Sequence, residues 1–439
     1  MTRHQIDPRL HNDSDLARHL LTVRGVQWLQ GERGVPLARI LRAQDADPRV
    51  WYAELRGHPA LRQSDLDVWV IAEHAVAAQV MADPGLKVRD PRFVRRRRRV
   101  YGLDADTTPK HVLAIDDATL ALERDDHDRL RRLTEPVLGA AAMNARRTPV
   151  AAVFDEVAGD LTGGFDLMTD YATRGVIVAL ANVVGLPLAE RPQFAADVMG
   201  AGHVLDALLC PPTLPCARRL VECFDRIKKT VAGLVGEGRG PDRAEQGTVL
   251  HELALLTGGE EREADTLAAI LLTLVLGTHL TSNLICNAVL ALLAHPDQCA
   301  LLREDPSLAG AVVEETLRYD APLKIVSRIS GSDTDLCGVT VNAGDQVVVL
   351  IDAANRDPAA FLEPETFDLT RAGSAAHLTF DDFPARLVAP VVRMLATEAI
   401  RALVPLLPVL EPAGEVVRHV RSPVIGLIAR CPVSTIPLR

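Results

Sequence analysis

Along most of this chain apolar residues recur every three or four positions, the spacing that lines them up on one face of a helix. On that spacing helices are predicted over Ala72 to Met81, His127 to Leu138, Val150 to Leu161, Tyr171 to Val184, Pro192 to Leu208, Ala217 to Val235, Leu308 to Arg318 and Val388 to Leu403, with Pro and Gly clusters between them. Glu261 to Ala294 differs. Its centre is apolar nearly all round, as in a helix enclosed by a core, and His295-Pro296 ends it. Two-residue alternation is confined to short runs: Ala60 to Arg62, Asp67 to Ile71, and pieces of Lys324 to Leu350 that turn at Gly331, Gly338 and Gly344. Val417 to Ile428 is the best strand candidate in the tail. Between Asn355 and Pro384 neither period holds, and so long an irregular stretch must be functional or pinned by specific contacts. The pattern predicts a mainly α protein with a minor β component. With no internal repeat and no long linker, a single domain is expected over residues 1–439.

Composition changes this picture little. Hydrophobic residues at 48% and charged residues at 24% are ordinary for a soluble globular chain. A net charge of -10 argues against nucleic acid or an anionic membrane as partner. The excess of Arg over Lys, 43 to 5, reads as a high-GC genome rather than a function. The N-terminus is polar and carries no signal-peptide core. The longest apolar stretch, near Leu267 to Leu276, is shorter than the about 20 residues a membrane span needs. A cytoplasmic protein, not bound to membrane, is expected.

Seven cysteines, Cys210, Cys216, Cys223, Cys286, Cys299, Cys337 and Cys431, lie at irregular spacings with no CxxC pair, as expected of reduced thiols. There is no Walker A, HExxH or GxSxG motif, and the glycines of Gly236 to Gly240 follow no strand and precede Pro241. The run Arg95, Arg96, Arg97, Arg98, Arg99 is either a solvated loop or a docking patch for an acidic partner or a phosphate.

One ordered set of motifs is more specific. Glu315 and Arg318, spaced i, i+3, share a helix face on which they can pair. Downstream come Ala353 to Pro358 (AANRDP), Phe361 to Arg371 (FLEPETFDLTR) and His377 to Phe380 (HLTF). This set resembles bacterial cytochromes P-450. The resemblance extends to Trp51 to Asp83, Asp126 to Leu133, Asn283 to Ile285 and Leu290 to Gln298, nearly the whole chain. It implies a cytochrome P-450-like fold in which Glu315, Arg318 and Arg371 form a structural triad that holds the long irregular stretch. It also implies that His127, Arg131, Arg328 and His377 occupy positions that contact haem propionates. They would hold a haem or another anion, or have become internal ion-pair or hydrogen-bond partners.

The chain departs from that family at the chemistry. A P-450 monooxygenase needs a cysteine thiolate on iron to favour O–O cleavage. The position implied for it falls on Arg386 or Leu387, and no cysteine occurs between Cys337 and Cys431. The family's glycines are missing there too, and Phe383, Pro384 and Val388 suit a tight loop poorly. On the long helix, the family's acid–alcohol pair falls on His279 and Leu280, with Thr281 and Ser282 offset. Haem binding and monooxygenase activity are therefore not expected. The run His19 to Ala38 is similar to haem-free P-450 homologues that accompany antibiotic deoxysugar glycosyltransferases in macrolide and anthracycline pathways. The resemblance implies a non-catalytic auxiliary protein that binds a glycosyltransferase as a hetero-oligomer and activates or stabilises it. A haem enzyme with unusual ligation and a polyketide-binding module are the alternatives.

Overall fold

The computed structural model describes residues 12–42, 47–56, 61–63, 68–88, 99–100, 103–104, 124–187, 191–236, 246–256, 260–371, 376–381, 383–419 and 421–436. Its axis is the 35-residue helix Glu260–Ala294. Leu and Ala dominate the helix and no Pro interrupts it, so propensity and burial agree. The helices Phe383–Leu403, Leu214–Gly236, Arg191–Gly200, Arg174–Val184 and Ala309–Tyr319 pack around it. The residues from Ala268 to Val289 are buried on every face, and each enclosed Leu contributes about 1.5–3 kcal/mol of burial. Two polar side chains within this stretch turn back to the helix itself: Thr273 and Thr278 donate to the carbonyls of Ala269 and Leu274, at 2.8 and 2.6 Å. The span Glu263–Ala294 is long and apolar enough to cross a membrane, which corrects the expectation that no stretch is; here protein covers its apolar centre, and Glu263, Ala264 and Ala294 at its ends are exposed. Leu167–Val184 also passes that test and is mostly buried.

A five-stranded sheet flanks the helices, in the order Leu61–Gln63, Val68–Ile71, Gln346–Leu350, Ile325–Ser330, Leu86–Lys87. One pairing is parallel, with Val347 opposite Trp69, and it ties the N-terminal strands to a segment far along the chain. The central strand Gln346–Leu350 reads as a continuous apolar run because both of its faces are covered. One hydrophobic cluster runs from Leu16 to Val433.

Several boundaries differ from the sequence pattern for physical reasons. The N-terminal helices Asp13–Glu32, Pro36–Arg42 and Arg49–Arg56 were not predicted. The first has Asn12 as its cap, whose side chain accepts from the Asp15 amide at 2.8 Å, and buries Leu16, Leu20, Val23 and Val26. The expected helix Pro192 to Leu208 ends at Gly200, where a Cβ would stand 2.3 Å from the Cys223 sulfur, and continues as two short 3₁₀ turns. Tyr171 to Val184 begins with a π-helical turn, Leu167–Thr173. Val417 to Ile428 is not one strand: Val417–Arg418 pairs with Ile428–Arg430. The last long helix begins at Phe383 rather than Val388, and so takes in the segment expected to be a loop.

Candidate functional site

The helix Ala309–Tyr319 carries Glu315 and Arg318 on its buried face. Two parallel bonds join them, Arg318 Nη2 to Glu315 Oε1 at 2.7 Å and Arg318 Nε to Oε2 at 2.9 Å. Arg371 Nε stands 3.2 Å from the same Oε1, and the Asp368 amide donates to it at 3.0 Å. Arg318 then donates to the carbonyls of Asn355, Pro364 and Thr366, at 3.2, 2.8 and 2.9 Å. Glu315, Arg318 and Arg371 thus meet in one cluster that satisfies backbone groups of the irregular stretch. Asn355 completes the pinning: its Oδ1 accepts from the Leu378 amide at 2.8 Å, and its Nδ2 donates to Thr379 Oγ1 at 2.9 Å. A long stretch without secondary structure holds its shape here because its carbonyls and amides find side-chain partners.

The resemblance puts the implied thiolate position, Arg386 or Leu387, in the segment after this stretch. That segment is helical from Phe383. Arg386 is exposed, with Asp381 Oδ1 at 3.6 Å from its Nη2. Leu387 is buried and joins Val388, Val391 and Val392 in the core. Neither side chain offers sulfur. Cys337 sits in a tight exposed turn at φ 55, and Cys431 is buried beyond the strand Ile428–Arg430. The donor set at this position does not fit a thiolate-ligated haem.

The four positions implied for haem propionates lie on three segments: the helix Arg124–Leu138, the strand Ile325–Ser330 and the irregular stretch. His377 Nε2 lies 3.1 Å from Glu314 Oε2, and Arg393 Nε donates to the other oxygen at 2.6 Å. Desolvation pushes the Glu314 carboxyl up, but the bonds from His377 and Arg393 outweigh it and hold its pKa down to about 2. Arg131 is exposed, whereas His127 is buried on the same helix, Arg124–Leu138. Arg328 is buried in the strand Ile325–Ser330, where Nη1 donates to the Ser327 carbonyl at 3.0 Å.

On the central helix, His279 is buried with its Nε2 2.8 Å from the Val198 carbonyl. Burial holds its pKa down to about 4, so the ring is neutral near pH 7 and Nε2–H is the donor. The ring lies against Gly202, where a Cβ would come within 3.0 Å of it. His279 therefore clamps the central helix to Arg191–Gly200, and Leu280 beside it is apolar and buried. Thr281 and Ser282 are buried, and among the described residues their hydroxyls have no hydrogen-bond partner. Of the arginine run, Arg95 to Arg98 lie outside the described residues, and Arg99 opens the two-residue strand Arg99–Val100.

One buried acid, Asp206, and one half-buried acid, Asp320, were not singled out from sequence. Asp206 accepts from Ser422 Oγ at 2.6 Å and from the Val424 amide at 2.9 Å, fixing the C-terminal loop. Asp320 sits among Lys324, Arg418 and Arg356; burial pushes its carboxyl up, but those cations hold it far below the usual range. Neither lies in a motif, so only the fold brings out their partners.

A family model described as Cytochrome P450 matches residues 215–375 and ends ahead of the helix that begins at Phe383. The chain is 40% identical over 432 residues to Protein AknT of Streptomyces galilaeus, covering 96% of each chain. It is 33% identical over 419 residues to Protein DesVIII of Streptomyces venezuelae, covering 94% of this chain and 92% of that one. Among solved structures, ligand-free CYP164A2 of Mycobacterium smegmatis superposes with a TM-score of 0.75 at 26% identity, over 91% of this chain and 99% of that one.

Proposed function

The chain belongs to the cytochrome P450 family, and on that footing we propose that it is a non-catalytic auxiliary protein that binds a nucleotide-deoxysugar glycosyltransferase of antibiotic biosynthesis and activates or stabilises it. The observation that carries the reading is the helix Phe383–Leu403, which runs through the position of the missing thiolate with Arg386 in solvent and Leu387 in the core. Without a thiolate the family's oxygen chemistry has no electron donor on iron. The change at His279 and Leu280 points the same way, since a neutral imidazole bonded to a backbone carbonyl and an apolar side chain replace a proton-delivery pair. A fold retained over such a length without its chemistry fits a scaffold. The likeness of His19 to Ala38 to haem-free P-450 homologues supports a glycosyltransferase as the partner.

Physically, the helper would bind the active fold of the transferase in preference to less active or unfolded states, and so raise its population. A stable contact of this kind buries at least about 1,000 Å². The test is co-expression with the transferase of the same pathway, followed by size-exclusion chromatography and a sugar-transfer assay with and without this chain. A joint peak and a faster or longer-lived transferase are expected. Separate elution with an unchanged transfer rate would sink the proposal. So would a reduced, carbon monoxide-treated spectrum with the band of a thiolate haem.

A further inference from the structure

Where the N-terminal helix meets the C-terminal loop, three arginines gather. Arg24 lies on Asp13–Glu32, Arg42 ends Pro36–Arg42, and Arg421 stands in the loop after Val417–Arg418. Other bonds lock the same junction together: Gln27 Nε2 donates to the Leu209 carbonyl at 2.7 Å, and the Cys210 thiol to the Leu41 carbonyl at 3.1 Å. Gly31 lets the Arg42 side chain lie flat on the first helix, since a Cβ there would stand 2.7 Å from Arg42 Nη1. Trp28 covers that guanidinium at 5.5 Å, and Glu32 Oε1 meets it at 2.9 Å.

Glu32 is engaged by Arg42, and among the described residues the groups acting on Arg421 are Arg24, Arg42 and the Cys210 thiol, none of them a carboxylate. Arg24 Nε and Arg421 Nη1 are buried, and among the described residues neither has a hydrogen-bond partner. Arg421 also holds a left-handed backbone at φ 64, which costs a residue with a Cβ about 1 kcal/mol or more. Buried N–H groups without acceptors, mutual repulsion and backbone strain all coincide at one place. Each is unfavourable for the chain alone, and an oxyanion between the guanidiniums would offset the first two together.

We propose that the junction of Arg24, Arg42 and Arg421 is a binding site for a small oxyanion of phosphate or carboxylate type. The site is independent of the glycosyltransferase reading and of any haem, since it lies between the first two helices and the C-terminal loop. The probes are inorganic phosphate and acetate, each titrated into the full chain against chloride at constant ionic strength, with the thermal midpoint as readout. A saturable rise with one of them is expected, and the anion that gives it identifies the class. Arg24→Gln should weaken the apparent affinity at least tenfold. Arg421→Gly should abolish the response while folding at least as well as wild type without anion, because glycine accepts the left-handed backbone. A rise no greater than that with chloride overturns the proposal. So does a response that survives unchanged in both variants.

Discussion

Removing Arg318 should destabilise this protein more than removing Arg371, although both meet the same carboxylate. Arg318 is nearly inaccessible and makes two bonds to Glu315 and three to backbone carbonyls of the irregular stretch. Arg318→Ala leaves the Glu315 carboxylate buried with Arg371 as its remaining cation and strips acceptors 355, 364 and 366 of a donor. Breaking a buried pair from one side costs about 3–5 kcal/mol. Arg371 is more accessible, and its outer nitrogens face exposed carbonyls, so Arg371→Ala should cost about 1–2 kcal/mol. For 439 residues an unfolding entropy near 2.1 cal/mol/K per residue makes each kcal/mol worth about 1 °C in Tm. The expected losses are then about 3–5 °C and about 1–2 °C. Urea midpoints at unchanged m should give the same order, and Arg318→Lys should recover little, since an ammonium cannot make the paired bonds. An Arg318→Ala midpoint within about 0.5 kcal/mol of wild type would refute the reasoning. A larger loss for Arg371→Ala would do the same.

Acid should unfold the protein partly through His279. Its folded pKa, about 4, lies below the unfolded value of 6.5, so the native state binds fewer protons; stability is full above about pH 6.5 and falls as pH drops towards 4. Urea midpoints between pH 6.5 and 4 should slope less in His279→Gln, whose amide can still donate to the Val198 carbonyl; an equal slope excludes His279 as the cause. Leu387→Cys should give no thiolate-haem band in the reduced carbon monoxide spectrum, because the helix points this position into the apolar core; a band would show that the ligand loop can re-form. Leu280→Thr should cost about 1–3 kcal/mol by urea unfolding, through lost packing and a buried hydroxyl, and should bring no oxygen activity. Unchanged stability there would mean the site accepts an alcohol freely.

The fold was legible where one period dominated or where a motif stood in order. The central helix announced itself by an apolar run that goes all round, and the triad by Glu315 and Arg318 at i, i+3 with Arg371 downstream. What escaped depended on contacts made across the chain. At Gly200, where the helix ends, Cys223 packs so close that only glycine fits. The loop after Val417–Arg418 is irregular because Asp206, more than two hundred residues earlier, takes its amides. The N-terminal helix was missed because Gln27 and Gln30 interrupt its apolar face; Gln27 is buried there with its amide donating to the Leu209 carbonyl.

The start of the last long helix was misread for a reason that bears on function. The apolar spacing starts this helix at Val388, whereas the structure starts it at Phe383. A thiolate loop needs glycines so that backbone can fold closely around sulfur. Between Asp381 and Pro390 there is none, and the residues present, among them Ala385, Arg386 and Leu387, are good helix formers. Once the sulfur is gone, nothing holds the backbone against its own propensity. Pro384 is tolerated in the first turn, where no amide donor is needed, and Leu387 gains burial by turning inward. On the proposed reading, the start of the helix at Phe383 and the absence of a thiolate at Arg386 or Leu387 go together. That is why restoring a single cysteine at Leu387 should not restore the chemistry: the thiol would be placed on a helix whose neighbours Val388, Val391 and Val392 stabilise it as it stands.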